Sequence, residues 1–247
     1  MKNKLISSII VATLLVGTQA IASDWWTNYR DENGSANRGI AIRLGTSANN
    51  PKGMKNVYDQ AADSYGVTEK ELTKRNGYVG LETLYELQLN EETNKLGVKI
   101  GVEIYGQNEL ELKGSYNSNF ISAKGKENTY AVPITFYYKR DNGVKKLSWM
   151  AGAGVTIMRS EVEIKSNFTG NEKYSKTKAF PHIMVGAEYR FSKLFALGLE
   201  ARYNIAAKIK KGAGYLPTPD PHYYLPVNGI LSDRSGFSGA VTGRFYF

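Results

Sequence analysis

The chain has 247 residues, of which 42% are hydrophobic and 22% charged, with a formal net charge of +9 and no cysteine. The lack of cysteine excludes disulfides, zinc–thiolate sites and thiol nucleophiles. The length suits one large all-β domain, and because the lysines are scattered among glutamates and aspartates, we expect solvated or headgroup-facing loops and no nucleic-acid partner.

Residues 1–22 have the pattern of a secretory signal peptide. Two lysines precede an apolar run over residues 5–17, and residues 20–22 read Ala-Ile-Ala, a small-x-small cleavage pattern. The run is too short for a permanent membrane helix, although an N-terminal anchor is the alternative reading. Cleavage after Ala22 would leave 225 residues with a net charge of +7. We assign residues 23–37 to an N-terminal periplasmic segment and residues 38–247 to a barrel domain.

Residues 38–247 contain eight segments in which apolar and polar residues alternate. A period of two places successive side chains on opposite faces of a strand. The predicted strands are Gly39–Thr46, Gly77–Leu89, Lys95–Gly106, Thr129–Lys139, Lys146–Met158, Ala179–Phe191, Leu194–Asn204 and Gly236–Phe247. No apolar run approaches the roughly 18 residues of a membrane helix.

The connections between these strands alternate in length. Short turns follow the second, fourth and sixth strands, and polar loops of about twenty to thirty residues follow the first, third, fifth and seventh. Short turns at one end and long loops at the other are typical of outer-membrane barrels. We interpret residues 58–75 of the first loop as solvated, with a short helix or a partner-binding role as alternatives. The fold class is therefore an eight-stranded antiparallel up-and-down transmembrane β-barrel, with short periplasmic turns and four long extracellular loops.

The polar faces of the strands distinguish a membrane barrel from a soluble one. They carry Arg43, Glu82, Glu86, Lys99, Glu103, Lys139, Glu188, Arg190, Glu200, Arg202 and Arg244. A soluble barrel would have to bury these eleven charges in its core, which is prohibitive unless they are paired. In a membrane barrel the apolar faces contact lipid, so we predict that the charges form a network in the lumen. Within it we expect Glu200, Arg202, Arg190 and Arg244 to be connected.

Several stretches resemble the OmpA-like small outer-membrane barrels, the porin-family or opacity-type surface proteins. They are residues 186–191 with 199–203, Val132-Pro133, residues 152–154 and the closing residues 244–247. The resemblance implies that the terminal aromatics Phe245 and Phe247 form the signal read by the barrel-assembly machinery. It also implies outer-membrane lipid and lipopolysaccharide as surroundings, in the outer membrane of a Gram-negative cell. The partner of the extracellular loops is unknown.

The leading functional reading is a non-enzymatic barrel, structural or surface-interacting, with at most weak porin activity. A small-solute porin is the first alternative. A lipid A-modifying enzyme is a more remote one, because the two histidines, His182 and His222, have no serine or acid partner at a motif spacing. No catalytic residue, cofactor or metal site is predicted.

Overall fold

The structure, a computed structural model, describes residues 38–51, 54–55, 59, 67–89, 93–116, 119–141, 146–167, 170–192, 194–210, 214–217, 224–227 and 230–247. The predicted signal peptide and periplasmic segment, residues 1–37, lie outside the described residues. In the part of the chain that is described, no helix is long and apolar enough to cross a membrane.

The described residues form fourteen strands, which are numbered in chain order. They are β1 Arg38–Ser47, β2 Val67–Thr73, β3 Gly77–Gln88, β4 Asn94–Tyr105, β5 Asn108–Tyr116, β6 Asn119–Asp141, β7 Leu147–Ser166, β8 Gly170–Arg190, β9 Phe195–Asn204, β10 Lys208–Lys210, β11 Gly214–Pro217, β12 Tyr224–Val227, β13 Ile230–Asp233 and β14 Gly236–Tyr246.

Eight of these strands close into the predicted antiparallel barrel. Around the ring the order is β1, β3, β4, β6, β7, β8, β9 and β14, and β14 pairs with β1 to complete it. Each predicted alternating segment coincides with one of these strands, which confirms the fold class. We call the end with the short connections β3–β4, β6–β7 and β8–β9 the turn end, and the opposite end the loop end.

Two glycines let lumen tyrosines lie flat against the barrel wall. A Cβ atom on Gly97 would come within 2.3 Å of the Tyr137 ring, and one on Gly45 within 2.4 Å of the Tyr78 ring. Both contacts are far below van der Waals distance, so any larger residue would displace the tyrosine. The glycines that alternate with charges in the polar faces thus make room for large neighbours.

Three strands continue well beyond the barrel at the loop end. The segments β6, β7 and β8 have 23, 20 and 21 residues, about twice the length needed to cross a membrane as a strand. Their outer halves join β5 and β2 in a five-stranded sheet of order β2-β5-β6-β7-β8, which we call the outer sheet. The connections that follow the third and fifth predicted strands are therefore largely strand. In the connection after the first predicted strand, Val67–Thr73 form a strand instead of the short helix considered as an alternative.

The polarity of the two faces reverses along β7. Outward side chains are apolar from Trp149 to Ile157 and then become charged, beginning at Arg159. The inward face changes in the opposite sense, from Thr156 in the lumen to Val162 and Ile164 in an apolar core. A wall that contacts lipid needs apolar residues outside, whereas a wall surrounded by water needs them inside. The reversal near Met158 therefore marks the membrane surface at the loop end.

The outer sheet and the last connection enclose this second, apolar core. Its buried members include Leu110 and Leu112 of β5, Phe180 of β8 and Ile209 of β10. The chain enters the core at Ala206, whose positive φ of 50° turns it away from the wall after β9. The β10–β13 ribbon then lies over the loop end of the lumen, packed against β7 and β8.

Candidate functional site

The predicted charged residues lie inside the barrel. Ten of the eleven are almost completely inaccessible to solvent, with exposed fractions of 5% or less. The exception is Arg190, which lies half-buried near the turn end with its guanidinium 4.2 Å from the Tyr246 ring centre. Seven of the eight barrel strands contribute to the set, and β7 adds uncharged Met150 and Thr156.

At the turn end, Lys139 occupies the centre of the lumen. Its Nζ atom lies 3.1 Å from Glu86, 2.7 Å from Glu188 and 3.1 Å from the Tyr246 hydroxyl oxygen. The hydroxyl group of Tyr246 in turn donates to Glu188 at 2.7 Å. Lysine with three acceptors has all three of its ammonium protons satisfied.

In the middle of the lumen, Glu200 gathers three cations. Lys99 lies 2.5 Å from it, Arg43 lies 3.1 Å from it, and Arg244 makes a direct ion pair with it. Arg43 also bonds Glu82 at 2.9 Å. Three surrounding cations compensate the cost of burying one carboxylate, provided that none of them is removed.

Towards the loop end, Arg202 binds Glu103 through two parallel bonds of 2.9 and 2.7 Å. This bidentate geometry is the strongest arrangement available to an arginine and a carboxylate. Tyr105 donates its hydroxyl proton to the same carboxylate at 2.8 Å, and Arg43 lies 3.4 Å from it.

The three layers form one continuous network. Arg244 lies 2.5 Å from Glu188 in the first layer and pairs with Glu200 in the second, and Arg43 connects Glu200 with Glu103 in the third. The four residues expected to be connected, Glu200, Arg202, Arg190 and Arg244, therefore belong to the same network. Only Glu200 and Arg244 touch directly; Arg190 lies 3.8 Å from Glu188, and Arg202 connects to the others through Glu103.

His182 lies in the lumen, as its position in the alternation predicts. Its two ring nitrogens are each 2.9 Å from a threonine hydroxyl, Thr135 on one side and Thr156 on the other. The side chain is only 1% exposed. Both nitrogens are occupied, and no described serine or carboxylate forms a hydrogen bond with them, so this histidine has the surroundings of a structural residue. The second histidine, at position 222, lies outside the described residues.

Some buried polar residues were not predicted. Lys95 at the turn end lies 3.9 Å from Glu86 and could have been identified from the alternation, since it shares a face with Lys99. Glu127 and Arg234 at the loop end could not have been identified in this way. Both lie outside the predicted strands, where the alternation assigns no inward face. The Arg234 guanidinium lies 4.4 Å from the Tyr105 ring centre and 3.4 Å from Thr129, and burial lowers its pKa.

No metal site is found among the residues that the structure describes, since nowhere do three or more histidines or carboxylates converge on one point. The lumen carboxylates bond to lysine, arginine and tyrosine instead. Each of these carboxylates lies within ion-pair distance of a lysine or an arginine, which is the arrangement of an internal ion-pair network.

The outer wall of the barrel is apolar between two groups of aromatic residues. At the turn end, the ring of Phe191 lies 4.9 Å from Tyr189 and 5.8 Å from Phe195. At the loop end, Tyr203 and Phe237 are 4.8 Å apart. Phe195 and Tyr203 are eight residues apart on β9, which is about 26 Å along the strand and about 20 Å across a membrane at the usual tilt.

The predicted assembly signal lies at the turn end of this wall. Phe245 is 53% exposed on the lipid-facing side, opposite Ile40 and Phe195 on the neighbouring strands. Phe247 is half-buried, and its backbone N–H donates to the carbonyl oxygen of Arg38 at 3.0 Å.

A closed antiparallel barrel with an apolar outer belt and a charged interior defines an integral membrane barrel of the small, eight-stranded class. The sequence model of the family described as outer membrane protein beta-barrel domain matches residues 92–222, more than half of the chain. The chain belongs to this family, which confirms the resemblance found in its sequence. No curated protein sequence matches it significantly.

Solved structures with a similar arrangement include three bacterial proteins. Ail, the attachment invasion locus protein of Yersinia pestis, has a TM-score of 0.41 at 12% identity, covering 86% of this chain and 98% of its own. Neisserial surface protein A has a TM-score of 0.40 at 10% identity, covering 87% and 99%. The outer membrane protein OprG of Pseudomonas aeruginosa has a TM-score of 0.43 at 9% identity, covering 86% and 97%.

Proposed function

We propose that this chain is a non-enzymatic integral protein of a Gram-negative outer membrane, with a closed lumen and a surface-interacting outer sheet. It is exported by its signal peptide and inserted with the loop end outside. The observation that carries the proposal is the continuous network of buried ion pairs from Lys139 to Arg202.

The network supports a closed lumen for steric and electrostatic reasons. An eight-stranded ring is just wide enough for side chains to fill. Arg202 and Glu103 belong to strands on opposite sides of the ring, and so do Lys99 and Glu200. Side chains that meet across the full diameter leave no continuous path for solute. Because each charge has a partner of opposite sign, an ion in transit would have to replace an existing pair.

The test is conductance of the refolded protein in a planar lipid bilayer. We expect no stable single-channel steps from the native chain. The triple variant Arg43→Ser, Glu103→Ser, Arg202→Ser removes the side chains that cross the lumen near the loop end and should conduct more than the native protein. Stable, ion-selective steps from the native chain would contradict the closed lumen and favour the alternative, a small-solute porin.

The enzymatic alternative, lipid A modification, has a direct test of its own. His182 is enclosed by Thr135 and Thr156 within the lumen, away from the lipid-facing wall. We therefore expect purified protein to leave lipid A unchanged by mass spectrometry. A modified product that disappears in His182→Ala would contradict the non-enzymatic proposal.

The orientation has a separate test, which uses the absence of cysteine in the chain. Lys113→Cys places a thiol in the outer sheet, and Lys146→Cys places one in the β6–β7 connection. Both native side chains are exposed or half-exposed. A membrane-impermeant maleimide should label the first variant in intact cells and the second only after lysis. The reverse pattern would invert the orientation.

A further inference from the structure

Along one edge of its outer half, β8 has no pairing strand among the described residues. β8 pairs with β7 along its whole length, from Gly170 to Tyr189, but its pairing with β9 begins only at His182. Above that point the chain leaves the wall at Ala206 and passes over the lumen. Among the described strands, none pairs with residues 170–181 on this side. Within the part of the chain that the structure describes, the wall of the outer sheet therefore ends in an open strand edge.

The direction of the backbone groups at this edge follows from one hydrogen bond. The carbonyl oxygen of Pro181 accepts from the N–H of Ile205, on the β9 side. In an antiparallel strand the N–H and C=O of alternate residues point the same way. The N–H and C=O groups of Ser175, Thr177 and Ala179 consequently point to the open edge, whereas those of Lys176 and Lys178 point to β7.

The open edge is positively charged. Lys176 and Lys178 lie on the inward face of β8 and are both exposed, and the Nζ atom of Lys178 lies 3.5 Å from the carbonyl oxygen of Lys208. Among the described residues no carboxylate forms an ion pair with Lys176, Lys178 or Lys208, the last of which belongs to β10 and lies opposite Asp233 on β13. The edge thus carries three ammonium groups without a counter-ion among the described residues.

The outward face of the same sheet is different, because its described lysines other than Lys126 are paired with carboxylates. Lys173 and Lys165 lie 3.2 and 3.4 Å from Glu163, and Lys124 lies 3.2 Å from Glu111. Exposed lysines on an edge strand often serve to prevent aggregation. That role would be served equally well by lysines on either face, and of the described lysines on the outward faces of β5 to β8 only Lys126 also lacks an ion pair.

We propose that the outer half of β8 binds an extended acidic segment of a partner protein, which adds to the outer sheet as a further strand. The edge groups of Ser175, Thr177 and Ala179 would pair with its backbone, and Lys176, Lys178 and Lys208 would bind carboxylates at alternate positions. Main-chain pairing supplies affinity in this mode of recognition, and the side chains beside the edge supply specificity. The unpaired amide groups favour a polypeptide over an anionic polysaccharide, which has no backbone that can continue the ladder.

The inference deepens the surface-interaction role and rests on it, but its test is independent of conductance, orientation and lipid chemistry. The probe is a synthetic ten-residue peptide of alternating threonine and glutamate, carrying a fluorophore, added to the full mature protein in detergent micelles. Binding is measured by fluorescence anisotropy. Two control peptides are the same sequence with N-methylated backbone amides at alternate positions and an alternating threonine–lysine peptide.

Two variants distinguish the contribution of the lysine charges from that of backbone pairing at the open edge. Lys176→Glu with Lys178→Glu should weaken binding about tenfold, since two exposed charge interactions are reversed. Thr177→Pro removes one N–H from the open edge and none from the β7 ladder, and it should also weaken binding several-fold. Lys113→Glu, on β5 at the far side of the sheet, is the matched control and should bind as the native protein does.

Each outcome decides the proposal. Binding that depends on both the lysines and the Thr177 amide supports strand addition. If the N-methylated peptide binds equally well and Thr177→Pro has no effect, the edge attracts acidic chains by charge alone and strand addition is wrong. If the acidic peptide does not bind, or binds no better than the lysine peptide, the proposal is overturned, while the closed-lumen barrel stands.

Discussion

Arg202 and Glu103 lie on strands four places apart in an eight-membered ring, and they meet in the lumen through two bonds of 2.9 and 2.7 Å. The pair thus connects opposite walls of the barrel. Tyr105 contributes its hydroxyl to the same carboxylate. A connection of this kind resists both flattening of the ring and entry of solute, so one interaction serves stability and closure together.

Removing one partner of this pair should destabilise the barrel strongly. Arg202→Ala leaves the Glu103 carboxylate buried with one fewer cation, and loss of a partner from a buried pair costs about 3–5 kcal/mol. The measurement is urea unfolding in detergent micelles, followed by tryptophan fluorescence. The double variant Arg202→Met, Glu103→Met is the control and should recover most of the loss, because no unpaired charge remains. A neutral effect of Arg202→Ala would place Glu103 in contact with bulk water.

The reversal of polarity on β7 predicts where a charge is tolerated on the outward face. Ala153 faces lipid midway between Trp149 and Ile157. Ala153→Lys should cost about 2–4 kcal/mol in bilayer unfolding, the usual penalty for lysine near the membrane midplane. Ser175→Lys, exposed on the outward face of β8 beyond the belt, should change stability by less than about 0.5 kcal/mol. Equal penalties would contradict a membrane surface near Met158.

Changes at the last two residues, Tyr246 and Phe247, should affect barrel stability and barrel assembly differently. Tyr246→Phe removes a hydroxyl that bonds Glu188 at 2.7 Å and Lys139 at 3.1 Å. It should therefore lower the free energy of unfolding by about 1–3 kcal/mol without changing the amount inserted. Deletion of Phe247 should do the opposite, lowering outer-membrane yield far more than the stability of the barrels that form. Yield is measured from purified outer membranes, and stability from refolded protein. Equal yields for both variants would argue against the assembly signal.

The outer sheet should open more readily in acid. The hydrogen bond with Lys173 lowers the pKa of Glu163, and that with Lys124 lowers the pKa of Glu111, from an ordinary value of 4.5. A lowered pKa in the folded state means that stabilisation is present above the ordinary value and is lost as the pH falls through the lowered one. We expect amide protection factors in the outer sheet to decrease modestly below about pH 4.5, whereas those of the barrel stay constant. Glu163→Gln is the control, since it should abolish the pH dependence between β7 and β8.

The sequence alone determined the barrel and most of the charged residues in its lumen. Alternation with period two assigns each side chain to a face, and in a membrane barrel one face must contact lipid. Arg43, Glu200 and Arg244 could therefore be placed inside before any pairing was known. The same alternation located the eight strands, because each strand that crosses the lipid must present a mainly apolar face to it.

Only the tertiary structure decided which charges meet and what the long connections form. Arg202 and Glu103 are 99 residues apart, and their contact depends on ring closure and register, which local pattern does not encode. The outer halves of β6, β7 and β8 were overlooked because their polarity is reversed. Val162 and Ile164 alternate with Glu161 and Glu163, as in any strand surrounded by water, and such a pattern becomes recognisable only when a second sheet or ribbon covers the apolar face. The local sequence pattern assigns each side chain to one face of its strand, whereas the closed fold determines which side chains meet across the lumen.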